Sequence, residues 1–284
     1  RSTLFPYTTL FRSPYSMWKF DVSGTSGSFG VAFSGAPLFR ARNASNQVQP
    51  ITAQPKVGGH PLGGFMVAFG TGRYLTPGDP LDLTVQSFYG IRDNGAAITT
   101  TNRSELQPQT IDLQVNAFGR EVRSITAATP DWTTEKGWYL DLHDPPIPPG
   151  TALGERVVST AIIKFDRVIF VTVVPSQDPC VPGGTSWLME LNLVTGGTFT
   201  DSILDLNNDG AFDNLDRAGG EVVSGVRTTG LGISKTPVWL DGPNSAFKIM
   251  TGTSGGFVSE RNSTPTPPPL PPGAVTRRSW IQIR

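Results

Sequence analysis

Cysteine, histidine and charged residues are scarce in this chain. Its 284 residues include one cysteine and two histidines, and 16% of them are charged. Two histidines cannot build a histidine-rich metal centre unaided. An odd cysteine in a secreted chain is free or has its partner elsewhere, and both interpretations of Cys180 stay open. No apolar stretch approaches the roughly 18 residues of a membrane-spanning helix, so the sequence predicts no membrane span.

Charge of one sign is not in excess either. The chain has 23 basic and 23 acidic residues, a balance that suggests neither a nucleic-acid nor a membrane surface. Glycine and proline are abundant instead, with 32 and 25 residues. Apolar runs are short and are separated by Gly, Pro, Asn and Asp, a pattern typical of all-β chains.

Residues 1–13 are set apart by their origin. The segment TLFPYTTLFRS, Thr3–Ser13, is the in-frame translation of a common sequencing-adapter oligonucleotide, and Arg1-Ser2 fits the tail of another copy. A translated adapter is a non-native scar and is excluded from fold reasoning. We therefore expect the natural sequence to occupy residues 14–284, to be cut off on its N-terminal side, and residues 1–13 to form no integral strand.

The segment DLNNDGAFD, residues 205–213, carries the spacing of a calcium loop. Oxygen-bearing side chains occupy its first, third, fifth and ninth positions, at Asp205, Asn207, Asp209 and Asp213. Gly210 stands sixth, where an EF-hand-type loop turns sharply, and Ala211 stands seventh, where such a loop offers a backbone carbonyl. Ca²⁺ takes roughly 6–8 oxygens, and carboxylates crowded this closely repel one another without a cation. The spacing therefore predicts a Ca²⁺ site that these residues converge on.

Two features separate this segment from an EF-hand. Asp216 stands at the twelfth position, where the helical motif carries a longer Glu, so we treat it as a possible ligand only. The flanks do not read as helices: residues 196–204 predict a turn and a strand, and a stretch rich in Gly, Val and Thr follows the loop. The alternative is a polar turn, because Asn-Asp-Gly favours a turn by itself. The complete D-x-[DN]-x-[DN]-G frame favours calcium, and a loop of this kind between strands indicates an extracellular protein.

Strands are predicted along most of the chain, with no sustained helical period. The clearest predicted strand regions are 17–22, 63–75, 85–95, two strands around 116–119, 138–142, 154–175, 186–197, 236–242 and 246–260. Strands that carry an aromatic residue and an acid and end in a glycine turn recur, as in WKFDVSG and SFYGIRDNG. Repetition of this kind favours the blades of a β-propeller, with a β-sandwich as the structural alternative.

Several phrases occur in the order found in a known family. They are WKFD (18–21), QPIT (49–52), FGTGRYL (69–75), QSFYGIRD (86–93), GWYLDL (137–142), GERVV (154–158), PCVPGGTSW (179–187) and RRSW (277–280). The combination of FGTGRYL and QSFYGIRD is the most specific of these. The chain resembles the C-terminal propeller of PilY/PilC-type proteins, the tip-associated adhesins of type IV pili.

The resemblance implies an all-β, partial modified β-propeller with an EF-hand-like loop that binds Ca²⁺. It implies the same ligands, Asp205, Asn207, Asp209 and Asp213 with the Ala211 carbonyl, and calcium that opposes pilus retraction. The implied role is pilus biogenesis and surface attachment. Implied partners are minor pilins at the pilus tip and a host or abiotic surface, with no nucleic acid, at the bacterial cell surface after export through the periplasm. The family's large N-terminal region, often with a von Willebrand A-like domain, is not in this sequence.

Catalytic interpretations are weaker, and we predict no enzyme. The segment GTSGG, 252–256, matches G-x-S-x-G by letters, but a strand-like FVSE follows it where a nucleophile elbow needs a helix. Asp141, His143 and Asp144 fit a polar loop better than a metal or acid–base cluster. Two other function classes stay open: a generic secreted scaffold with structural calcium, and a quinoprotein-type propeller enzyme, for which we find no set of cofactor-facing residues.

Overall fold

The regular secondary structure of the described residues is almost entirely β-strand. The computed structural model describes five stretches of the chain: 15–21, 30–99, 103–143, 152–176 and 183–265. The strands of these stretches are β1 (Ser16–Met17), β2 (Phe20–Asp21), β3 (Gly30–Val31), β4 (Phe39–Arg40), β5 (Lys56–Gly59), β6 (Phe65–Gly70), β7 (Gln86–Asp93), β8 (Gln107–Gln109), β9 (Ile111–Ala117), β10 (Arg120–Ile125), β11 (Gly137–Leu142), β12 (Ile162–Lys164), β13 (Arg167–Pro175), β14 (Gly184–Asn192), β15 (Arg217–Ala218), β16 (Glu221–Val222), β17 (Gly225–Thr228), β18 (Val238–Asp241), β19 (Ala246–Thr251) and β20 (Phe257–Asn262). Short 3-10 segments occupy Phe33–Gly35, Asp79–Leu81 and Asn214–Asp216. The predicted all-β fold is confirmed, whereas the predictions for residues 1–13 and for Cys180 fall outside the described residues.

Three larger sheets hold most of these strands. A five-stranded sheet has the order β5-β6-β7-β11-β8, a six-stranded sheet has the order β12-β13-β14-β17-β10-β9, and a three-stranded sheet has the order β18-β19-β20. Neighbouring strands in these sheets are antiparallel except for β8, which runs parallel to β11. Two-stranded pairs form between β1 and β4, β2 and β3, and β15 and β16.

The sheets pack face to face in series, and each interface has its own apolar core. One core lies between β1, β4 and the five-stranded sheet, and another lies between the five-stranded and six-stranded sheets. There the rings of Phe88 and Phe170 stack with centroids 3.7 Å apart. A further core lies between the six-stranded and three-stranded sheets. Because the central strands are covered on both faces, they read as nearly continuous apolar runs.

Glycines in the FGTGRYL segment allow another chain segment to approach closely. A Cβ atom at Gly70 would lie 2.3 Å from Cβ of Val157, and one at Gly72 would lie 2.4 Å from Cβ of Arg156. The backbone N–H of Val157 donates to the carbonyl of Thr71 at 2.9 Å, which fixes the two segments together. Gly72 also has a φ of 125°, a conformation that other residues rarely adopt.

Some predicted strand regions differ from the structure, and two of them show the reason. The region 17–22 divides between β1 and β2, which belong to different pairs. The strand predicted within residues 196–204 forms only an isolated bridge, from Leu204 to Asn262. This segment leaves the six-stranded sheet and joins the edge of the three-stranded sheet, so it cannot keep a continuous ladder with either.

Candidate metal centre

The loop 205–213 begins at the junction of two sheets. Leu204 is buried in the core between the six-stranded and three-stranded sheets, and it pairs with Asn262 of β20. The backbone N–H of Asp205 donates to the carbonyl of Arg261 at 3.3 Å. The start of the loop is therefore fixed to β20.

The tip of the loop turns sharply where the sequence predicts. Asn208 has a φ of 60° and Gly210 a φ of 90°. Asn and Gly are the residues that adopt this left-handed region most readily. The backbone N–H of Gly210 then donates to Oδ2 of Asp205 at 3.1 Å, which closes the loop onto its first residue.

Most of the loop's side-chain oxygens accept hydrogen bonds within the loop. Oδ1 of Asn207 accepts from the backbone N–H of Asp209 at 2.9 Å, and its Nδ2 donates to Oδ2 of Asp209 at 2.8 Å. The backbone N–H of Ala211 donates to Oδ1 of Asp209 at 2.8 Å. The bonds from Ala211 and Asn207 lower the pKa of Asp209, so this exposed carboxylate stays ionised. Asp213 accepts from the backbone N–H of Leu215 at 2.7 Å and begins a short 3-10 turn.

Asp216 holds the two ends of the loop together. It is buried, and its Oδ1 accepts from the backbone N–H groups of Leu206 at 2.6 Å and Asn207 at 3.2 Å. Its Oδ2 accepts from the backbone N–H of Asp213 at 3.2 Å. The position that carries a ligand in an EF-hand thus organises the backbone here, a role that spacing alone does not reveal.

Asp205 is the side chain that best fits a cation. It is 3% exposed, and its Oδ2 accepts from Gly210 and lies 3.2 Å from Nη1 of Arg261. Its Oδ1 is buried and has no hydrogen-bond partner among the described residues. A buried carboxylate oxygen without a donor costs free energy, and coordination to a metal ion would remove that cost.

The predicted ligands are only partly gathered. The structure joins Asn207 to Asp209 and Asp205 to Gly210. Within the described part of the chain, no three or more His, Cys, Asp or Glu side chains are arranged to hold a metal ion. The donor types suit Ca²⁺, while the convergence of all the predicted ligands on one point stays a prediction.

The other side chains considered for chemistry lie apart from this loop. Asp141 pairs with Arg103, with Oδ2 and Nη2 3.0 Å apart, and accepts from Oγ of Ser87 at 2.6 Å. His60 packs edge-on against Trp132, and its burial lowers its pKa to about 4. The segment GTSGG connects β19 to β20, so a strand and not a helix follows it. Asp144 lies outside the described residues.

Comparisons with known proteins show which proteins this chain is similar to. Residues 13–121 match the family model of the PilY1 beta-propeller domain. The type IV pilus biogenesis factor PilY1 of Pseudomonas aeruginosa PAO1 is 34% identical over 235 residues, which cover 75% of this chain and 20% of that protein. A PilY1 homolog of Xylella fastidiosa is 31% identical over 272 residues, covering 94% of this chain and 20% of that protein. The chain thus spans about a fifth of the length of these curated relatives.

A solved structure shares the fold. The crystal structure of the Pseudomonas aeruginosa PilY1 C-terminal domain superposes with a TM-score of 0.74 at 25% identity, over 89% of this chain and 56% of that one. The stacked sheets are therefore those of a β-propeller, and the sandwich alternative is dropped. The chain is a PilY1-type C-terminal domain, which confirms the resemblance seen in its sequence.

Proposed function

We propose that this chain is the calcium-binding propeller domain of a type IV pilus biogenesis factor and tip adhesin. Its relatives are named type IV pilus biogenesis factors, which supports the link to the pilus. The observation that carries the calcium assignment is the buried Oδ1 of Asp205, at the first position of a calcium-type loop, which has no hydrogen-bond partner in the part of the chain that the structure describes. We propose a structural and regulatory role for the ion and no catalysis.

Five groups of the loop are proposed to hold the ion. They are the side chains of Asp205, Asn207, Asp209 and Asp213 and the carbonyl of Ala211. Bound there, Ca²⁺ would neutralise the repulsion among three carboxylates. Asp216 keeps the ends of the loop together through its three backbone hydrogen bonds. The backbone of Asp205 is hydrogen-bonded to β20. Binding or loss of the ion would therefore affect the edge strand of the three-stranded sheet.

The proposed setting is the bacterial cell surface. The chain would support pilus assembly and extension with the minor pilins of the pilus tip, and attachment to a host or abiotic surface, after export through the periplasm. No helix among the described residues is long and apolar enough to span a membrane. The proposed restraint of pilus retraction would then depend on the calcium state of the loop.

Calorimetric titration with calcium tests the binding site directly. We expect a Kd of about 10⁻⁴–10⁻³ M, as in extracellular modules, and stabilisation of about 2.7 kcal/mol at a hundredfold excess over Kd. The variant Asp205→Asn with Asp209→Asn should bind at least tenfold more weakly, because it removes two ligand charges. Asp201→Asn removes an exposed carboxylate just outside the loop and serves as the matched control. If no binding heat is measured and the melting temperatures in calcium and in chelator are equal, the calcium site is refuted. The domain would then be a propeller scaffold without calcium.

Piliation of a strain that carries the full-length parent gene tests the biological role. Asp209→Ala removes a ligand charge and should reduce the number of surface pili. Asp209→Lys places an ammonium group in the loop and should partly retain the calcium-bound behaviour. Normal pili in both variants, beside a calcium site shown to bind in solution, would refute the pilus switch and keep the metal site.

A further inference from the structure

We propose that Arg261 is a built-in competitor for the cation of the 205–213 loop. Its guanidinium neutralises the charge of Asp205 when the loop holds no metal, and its positive charge lowers the affinity of the loop for a metal ion. This inference rests on the proposed calcium site and assigns a residue outside the calcium motif to its regulation.

Arg261 reaches the loop from β20. Its Nη1 lies 3.2 Å from Oδ2 of Asp205, and its Cζ lies 5.9 Å from the centre of the Phe212 ring. A Cβ atom at Gly210 would lie 2.7 Å from the same Nη1. The guanidinium therefore lies against three positions of the loop, and the absence of a side chain at Gly210 leaves room for it.

The charges explain why this contact acts on metal binding. The Asp205 carboxylate is buried and needs a cation beside it, since an isolated buried charge is costly. Arg261 supplies one positive charge to one oxygen, while the other oxygen keeps no donor among the described residues. A divalent ion on Asp205 would face the guanidinium at close range, where like charges repel. The same residue thus stabilises the metal-free loop and weakens its affinity for calcium.

If Arg261 assisted metal binding, its removal would change the calcium affinity in the opposite direction. If Arg261 only oriented Asp205 for the metal, its removal would weaken calcium binding. If it competes, its removal strengthens binding and destabilises the metal-free protein. Affinity and metal-free stability therefore move in opposite directions only under competition.

The test compares Arg261→Gln with the wild-type chain by calorimetric titration with calcium. Since the arginine side chain is about one-third exposed, solvent screening limits the effect, and we expect a Kd about tenfold lower. The melting temperature in chelator should fall, while that in saturating calcium should change less. Arg120→Gln is the matched control, because Arg120 pairs with Glu260, the neighbour of Arg261 on β20. Its Kd should equal that of the wild type.

Two further variants keep the test decisive. Arg261→Lys retains the positive charge and should keep a Kd within about twofold of the wild type. Arg261→Met retains much of the apolar stem beside Phe212 and replaces the Gln variant if that one fails to fold without calcium. An unchanged or higher Kd in the uncharged variant, with calcium still bound by the wild type, would overturn the competition and leave the calcium site intact. A wild type that binds no calcium would overturn both proposals.

Discussion

Replacement of Glu190 should lower the stability of the domain strongly. It lies in β14 and is 1% exposed. Its Oε1 accepts from Nη1 of Arg167 at 3.0 Å and from Nδ2 of Asn262 at 3.1 Å, and its Oε2 accepts from the fully buried Lys248. Burial alone would raise the pKa of Glu190, but Lys248 and Arg167 outweigh burial and lower it. One carboxylate thus joins the six-stranded sheet to β19 and β20.

Glu190→Gln leaves the Lys248 ammonium buried without its carboxylate. Removing one partner of a buried ion pair costs about 3–5 kcal/mol, a large part of the roughly 5–15 kcal/mol that stabilises a domain. Lys248→Met should cost less, about 1–2 kcal/mol, because Glu190 keeps Arg167 and Asn262. The double variant should resemble Lys248→Met, so the coupling free energy should equal the cost of Glu190→Gln, about 3–5 kcal/mol.

Urea denaturation of the four proteins measures these differences. Because the folded-state pKa of Glu190 is lowered, its ionised form stabilises the wild type above the ordinary value of 4.5, and this contribution is lost as the pH falls through the folded pKa. The difference in the free energy of unfolding between the wild type and Glu190→Gln should therefore become smaller as the pH falls. Equal costs for the two single variants, or strict additivity in the double variant, would refute the buried network as the cause.

Two other perturbations test local contacts. Burial would raise the pKa of Asp79, but hydrogen bonds led by the backbone N–H of Leu75 lower it to about 2. Asp79→Asn should therefore cost about 1–3 kcal/mol at pH 7, and the difference should shrink as the pH falls from 4 towards 2, as thermal melts can show. Gly90→Ala places a Cβ atom 2.3 Å from the buried Trp138 ring and should cost about 1–3 kcal/mol in urea denaturation. Gly59→Ala, which meets no atom within 4 Å, should change stability by less than about 0.5 kcal/mol.

Much of the fold could be predicted because strands and their turns are local. The hairpin around 116–119 follows from its turn residues, and Phe118 and Gly119 do adopt φ values of 54° and 74°. The region 198–204 could not be predicted, because its composition suits a strand while its hydrogen-bonding partners are set by how two sheets meet. Local pattern specifies what a segment can form, and tertiary neighbours decide whether it does so.

The same division applies to the candidate site. The spacing of acidic residues predicts the loop and its sharp turn at Gly210, since both depend on nearby residues. Arg261 lies 56 residues from Asp205, and no local signal connects them. Asp216 could be identified as a candidate ligand, but its bonds to backbone N–H groups depend on the folded path of the loop.

The pairing of Leu204 with Asn262 has a consequence for how the domain opens. Asn262 bridges to Leu204 through its backbone and bonds Glu190 through its side chain. Separating the start of the loop from β20 therefore disturbs the strand whose Asn262 side chain donates to the buried Glu190. Backbone amides at this junction should exchange with solvent only when a large cooperative unit unfolds, whereas those of the exposed tip, 207–209, should exchange through small local openings. The amides at the tip of the loop should therefore exchange fast, while the amides at its attachment to β20 should be among the slowest to exchange.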